Sequence, residues 1–250
     1  MHSKVKGRVA LVAGVNDEVG EAIALQLASA GARVVLCDKE LQKLDALAAK
    51  IAATGAEAAA FGVDLSDPKA IHNCIEKIVA RHGRIDILVN NGPDSESKAL
   101  GDLSAEDFNT TVTKLLGSQF YFLREVVPLM QKNNGGRVVN VSSLAYLGMP
   151  NNADMAAAKS GLFGLTRSIA REVARNNVTI NCVVKGDIAA STISEEQEAK
   201  LSSGIPVKRL GTPTDISYAV GFFASDTSDY ITGQTFFVCG GKSAYFSMSV

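Results

Sequence analysis

Ser142 and Ser143 end an apolar run, Val138 to Val141, and Met155 and Lys159 follow in the alanine-rich stretch AAAKSGLFGL and its flank. The run reads as a buried strand that delivers a hydroxyl to its C-terminal edge, where ligands sit in open parallel sheets. Met155 and Lys159 are four residues apart, so on the next helix they lie one turn apart on a single face, directed back toward that edge. A hydroxyl and an ammonium brought together can hold a carbonyl or alcohol oxygen. The thioether of Met155 has no proton to exchange, and Lys159 is the only titratable side chain of the four.

A second constellation stands at the N-terminal end. After the apolar run Arg8 to Ala13 comes a turn bounded by Gly14 and Gly20. Such a turn lets backbone N–H groups and a helix N-terminus receive a pyrophosphate, or else packs a helix against a strand. Asp38 lies 24 residues beyond Gly14 at the end of the next strand. A carboxylate there can accept both hydroxyls of an adenosine ribose and repel a 2′-phosphate, which favours NAD over NADP. An Asp that opens a surface turn fits the same position.

The elements that must position these residues alternate between apolar strand-like runs and helical patterns, the signature of right-handed βαβ units and a parallel sheet covered on both faces. The strands are expected at Arg8–Ala13, Arg33–Cys37, Ala56–Val63, Ile85–Val89, Gly136–Val141, Val178–Val184 and near Thr235–Val238. The helices are expected at Val19–Ala30, Glu40–Thr54, Pro68–His82, from Ala105 to about Lys132 as one long helix, from Met155 onward, and at Pro213–Ala224. The fold class is therefore α/β, a doubly wound parallel sheet of about seven strands in one domain spanning 1–250. The long connection at about 186–212 reads as a lid, and Ser194 with Gln197 has capping-box spacing, so a short helix is expected inside it.

The stretch from Ser142 to Lys159 resembles the active-site segment of the short-chain dehydrogenase/reductase family, in which a Ser is followed thirteen positions later by the Tyr of a Tyr-x-x-x-Lys helix. Ser142 and Lys159 match, and Met155 stands in the place of the Tyr. The family uses that Tyr as its acid/base, with the Lys lowering its pKa and holding the cofactor ribose. Such catalysis is typically worth a factor of about 10²–10⁴. The glycine turn resembles the family's Thr-Gly-x-x-x-Gly-x-Gly, with Gly14 and Gly20 kept and Ala13 and Glu18 departing. An inward Glu18 carboxylate beside a phosphate, at ~5 Å and an effective dielectric of ~20, costs on the order of 3 kcal/mol, or ~100-fold in affinity.

Asp64 matches the family's adenine-contacting Asp. Asn90 and Asn91 begin its Asn-Asn-Ala-Gly motif, whose remainder here is Gly92-Pro93, and Lys114 replaces the Asn of its proton relay. Of the Pro-Gly-x-x-x-Thr that grips the nicotinamide only Gly186 remains, between Lys185 and a run ending in Ala190. The resemblance extends from Gly7 through RLGTPTDI to ITGQ and Gly240-Gly241. The departures fall on ligand and catalytic positions (Ala13, Glu18, Pro93, Lys114, Met155, Lys185 and Ala190), while the packing pattern survives.

The resemblance therefore implies a non-catalytic chain with a dehydrogenase scaffold. Lys114, Ser142, Met155 and Lys159 are read as vestiges of a catalytic site, and Gly14, Glu18, Gly20, Asp38, Asp64, Asn90 and Gly186 as vestiges of a cofactor site. No cofactor is expected on this chain, with NAD carried by a catalytic paralogue. Pairing is expected through the helices near Lys114 and Met155, as family members pair. Ala157, Gly161 and Gly164 supply small residues for close approach, Leu162, Phe163 and Ile169 supply apolar surface, and the C-terminal tail Gly241–Val250 offers a further contact. Two rival readings remain: an active oxidoreductase using Ser142 and Lys159, and a module that binds a nucleotide or acyl ligand without turnover.

Composition narrows the field further. A net charge of −1, from 25 basic and 26 acidic residues, gives no electrostatic footprint for nucleic acid or an anionic membrane. Cys37, Cys74, Cys182 and Cys239 form no C-x-x-C pair and read as small buried hydrophobes, and the three histidines sit at no metal-ligating spacing. No metal is expected. With no apolar run long enough to span a bilayer and no signal-peptide pattern, a cytoplasmic location is expected.

Overall fold

A computed structural model describes residues 5–92, 97–191 and 193–246. The strands are β1 (Val9–Ala13), β2 (Arg33–Asp38), β3 (Ala58–Gly62), β4 (Ile87–Asn91), β5 (Gly136–Ser143), β6 (Val178–Lys185) and β7 (Thr235–Val238). They form one parallel sheet in the order β3-β2-β1-β4-β5-β6-β7. The order reverses between β1 and β4, and a crevice opens at the carboxyl ends of the strands beside this switch point, where doubly wound sheets take their ligands.

The helices are α1 (Glu18–Ser29), α2 (Leu41–Ala52), α3 (Pro68–His82), α4 (Ala105–Val112), α5 (Ser118–Lys132), α6 (Ala153–Val173), α7 (Glu195–Ser203), α8 (Pro213–Ala224) and α9 (Lys242–Phe246). Buried side chains of α1, α2 and α8 fill one face of the sheet, among them Ile23, Leu44, Ile51, Ile216 and Val220. Those of α3, α5 and α6 fill the other, among them Ile71, Ile78, Phe122, Val126 and Ala170. The local signals are those of ordinary helix ends. Asp67 caps α3 with Pro68 behind it, Gly83 closes it at φ 78°, and Thr212 with Asp215 makes a capping box on α8. All four cysteines are free and buried. No described helix is long and apolar enough to cross a membrane.

Three expectations need correction. The single long helix from Ala105 to Lys132 is interrupted by a π-helical turn, Thr113–Gly117, after which Ser118 Oγ donates to the Lys114 carbonyl at 2.6 Å. One extra residue per turn rotates α5 relative to α4, and periodicity alone cannot show it because the apolar pattern resumes on either side. Leu162 offers no outer surface: it is fully buried. Gly161 also answers to its own chain, since a Cβ there would lie 2.7 Å from Leu116 Cδ2.

Candidate cofactor and active site

Along β5 the side chains alternate between the two faces of the sheet. Val139 and Val141 pack on the face covered by α1 and α8. Asn140 donates to Thr166 of α6 at 3.0 Å, and Ser142 Oγ donates to the Lys159 carbonyl at 3.1 Å, so the even positions face α6. Ser142 is fully buried in that contact and does not line the crevice. Its neighbour Ser143, twelve residues before Met155, does. The hydroxyl at the site is thus Ser143, which a count of thirteen positions misses. The Ser-Ser doublet was the available signal, because one-residue steps along a strand switch faces.

Met155 is 8% exposed and packs with Leu115, Ala145 and Ala158, with Val112 and Leu116 against the same cluster. Where an acid/base would stand, the chain has a small apolar core. Lys159 is fully buried, with Nζ 3.4 Å from the Gly92 carbonyl at the end of β4. Lys114 is exposed and away from this crevice. Its charge, after hydrogen bonds from the Ser66 hydroxyl and N–H and alongside the charge of Lys39, helps hold the exposed Asp64 carboxyl below its usual range. Ser142, Lys114 and Met155 are therefore not joined as a relay around one oxygen. Pro93 lies outside the described residues.

The N-terminus of α1 is occupied by the chain's own carboxylates. Asp17 is its N-cap, with Oδ1 accepting from Gly20 N at 2.6 Å and from Asn91 Nδ2 at 2.9 Å. Glu18, the first residue of α1, accepts from Ser191 N at 3.0 Å. Hydrogen bonds from Ser191, first its hydroxyl and then its N–H, hold the Glu18 carboxyl below the usual range. Asp38 Oδ2 accepts from Asn16 N at 3.1 Å and Oδ1 from Lys39 N at 2.7 Å, which engages both oxygens locally. A pyrophosphate fits poorly here, since the N–H donors that would receive it face carboxylates already in place. The type and position of Asp17 mark it as an N-cap, whereas Ser191 carries no signal in the sequence, being 173 residues from Glu18.

The surviving glycines serve the scaffold. Gly14 has φ +85°, and a Cβ on it would lie 1.6 Å from the Asn91 carbonyl oxygen. On Gly20 it would lie 2.3 Å from the Gly14 oxygen, and on Gly186 2.6 Å from Cys239 Cα. Asn90 likewise joins β4 to β5, donating to Asn140 Oδ1 at 2.9 Å. Between these walls lies a cavity of about 670 Å³, lined on one side by Asp17 and Glu18, on another by Ser143, Met155 and Lys185, and roofed by Ile188 to Ser191.

A family model described as enoyl-(acyl carrier protein) reductase matches residues 14–243. A solved structure described as a short-chain dehydrogenase/reductase from Burkholderia xenovorans superposes with a TM-score of 0.91 at 30% identity, over 97% of this chain and 98% of that one. This chain belongs to the short-chain dehydrogenase/reductase family. Among its relatives in that family is the (2S)-[(R)-hydroxy(phenyl)methyl]succinyl-CoA dehydrogenase subunit BbsC of Thauera aromatica, 48% identical over the full length of both chains. Subunit BbsD of the same dehydrogenase is 34% identical, over 96% of this chain and 98% of BbsD. Similarity thus extends to two different subunits of one dehydrogenase, with the greater identity to BbsC.

Proposed function

We propose that this chain is a non-catalytic subunit of a heteromeric, NAD-dependent dehydrogenase that oxidises a hydroxyacyl-CoA alcohol, and that it supports a catalytic paralogue which carries the NAD. The observation that carries the reading is Met155, a thioether buried among Leu115, Ala145 and Ala158 where the family places its acid/base. The identity to BbsC, with BbsD as a second subunit relative, supports the heteromer and its substrate class. The deciding experiment expresses the chain alone and together with a catalytic short-chain dehydrogenase from among its genomic neighbours. Hydride transfer is expected only from the mixture, and turnover by the chain alone refutes the reading.

Two measurements bear on the parts. Isothermal titration calorimetry of the isolated chain with NAD and with NADP should show no saturable heat, because Asp17 and Glu18 occupy the N-terminus of α1. Micromolar affinity for either nucleotide overturns that expectation. Met155→Tyr alone should leave the chain without turnover. Restoring a phenol gives one proton donor, while Lys114 still faces outward and Glu18 remains bonded to Ser191. Measurable NADH formation by this single variant would show that the defects at α1 matter little.

A further inference from the structure

Two thiols that the supporting role does not use meet between the sheet and α3. Cys37 stands in β2 and Cys74 in α3, and their sulfurs share a hydrogen bond at 3.7 Å across 37 residues of sequence. The contact follows from the periodicity of each element. Val35 and Cys37 alternate onto one face of the sheet, and Ile71, Cys74, Ile75 and Ile78 form the stripe of α3 that packs in the same apolar cluster. Cys37 is fully buried and Cys74 is 6% exposed, so Cys74 stands nearer solvent.

The two sulfurs are chemically unequal. Burial, followed by the contact with Cys74, pushes the Cys37 thiol well above its ordinary range. The hydrogen bond from Cys37 holds the Cys74 thiol below its own, against the effect of burial and with help from the Lys77 ammonium. A thiolate therefore forms first on Cys74, and thiolate is the species that reacts with a peroxide. The other two cysteines are placed differently: burial pushes Cys182 up to about 12, and Cys239 Sγ lies 3.2 Å from the Ser243 hydroxyl.

We propose that Cys37 and Cys74 are an oxidisable pair, closed by hydrogen peroxide into a disulfide that staples α3 to the end of β2. The Cys74 thiolate attacks one peroxide oxygen and the O–O bond breaks, leaving a sulfenic acid on Cys74 and a hydroxide that takes up the proton Cys74 had lost. The Cys37 sulfur then displaces the sulfenic oxygen to form the S–S bond, and the Cys37 proton leaves with that oxygen as a second water. Two electrons pass from the two sulfurs to the peroxide. The sulfurs must close from 3.7 Å to about 2.05 Å. The staple also reaches the glycine turn, because the Cys37 carbonyl accepts from Gly14 N at 3.0 Å. The pair operates whether or not the chain turns a substrate over.

The test treats the reduced, folded chain with a small molar excess of hydrogen peroxide, blocks the remaining thiols with N-ethylmaleimide in denaturant, and maps linked peptides by mass spectrometry. Two of the four cysteines should escape alkylation, with Cys37 joined to Cys74 and full recovery after dithiothreitol. The melting temperature of the oxidised chain should rise by about 5–10 °C, as closing a loop of this length predicts. Cys37→Ser should stop the reaction at a Cys74 sulfenic acid that dimedone captures, whereas Cys74→Ser should leave Cys37 at least about tenfold slower toward peroxide. The peptide map of the unsubstituted chain requires neither variant to fold, and the same treatment in urea gives the yield of chance pairing. Four alkylated cysteines after peroxide, a different linked pair, a Cys37–Cys74 yield no higher than in urea, or a melting temperature lowered by the linkage overturns the proposal.

Discussion

Gly164→Leu is expected to leave this chain folded and to abolish the hetero-oligomer proposed above. Gly164 is exposed in the middle of α6, and a Cβ there would meet nothing within 4 Å. A glycine inside a helix costs about 1 kcal/mol relative to alanine. Gly161 has a reason within the chain, the Leu116 side chain, but Gly164 has none among the described residues. In the heteromer proposed above, close approach of a partner's helix would account for it, and Phe120, on α5 and 41% exposed, would add apolar area on a neighbouring surface. The substitution should therefore raise the melting temperature of the isolated chain slightly. In coexpression it should remove the hetero-oligomer from native mass spectra and lower the partner's turnover more than about tenfold, the loss expected when a bulky side chain wedges a packed interface. A hetero-oligomer that survives Gly164→Leu with full activity places the interface elsewhere. Gly161→Leu cannot serve as this test, because it collides with Leu116 whether or not a partner is present.

The second large effect is on stability. Gly14→Ala should destabilise the chain by about 3 kcal/mol or more, from a positive-φ backbone combined with a side-chain atom driven into the β4 main chain. Gly7 offers the control: its φ is +78°, yet a Cβ there meets nothing within 4 Å. Gly7→Ala should cost only the backbone term, about 1–2 kcal/mol. Urea denaturation of the two variants without nucleotide measures the difference. Equal midpoints would mean that packing does not require Gly14, and a role toward phosphate would regain its force.

The fold was legible because its signals are local and repeated. Alternating apolar strands and amphipathic helices set the sheet, and α3, α8 and β7 fall at the expected bounds. The candidate site was legible as a set of positions, and less so as an arrangement. Ser142 satisfied the family spacing and still turned toward α6, because face selection depends on strand alternation extending through Ser143. Lys114 occupied the relay position in sequence, but its side chain points outward from a π-turn that leaves no trace in apolar periodicity. The pairing of Glu18 with Ser191 joins residues far apart in the chain, and no pattern in either segment announces it.

The bond between Glu18 and Ser191 also bears on how such a chain could change over generations. A glycine at position 18 would open space beside the turn and, in the same step, untie the segment beyond β6. If the chain binds no nucleotide, as proposed above, a first mutation toward nucleotide binding would thus remove a native contact before any ligand repaid it. Met155 sits in a similar position, since a phenol must enter an apolar cluster. On the non-catalytic reading proposed above, both contacts weigh against repair of the cavity by single substitutions.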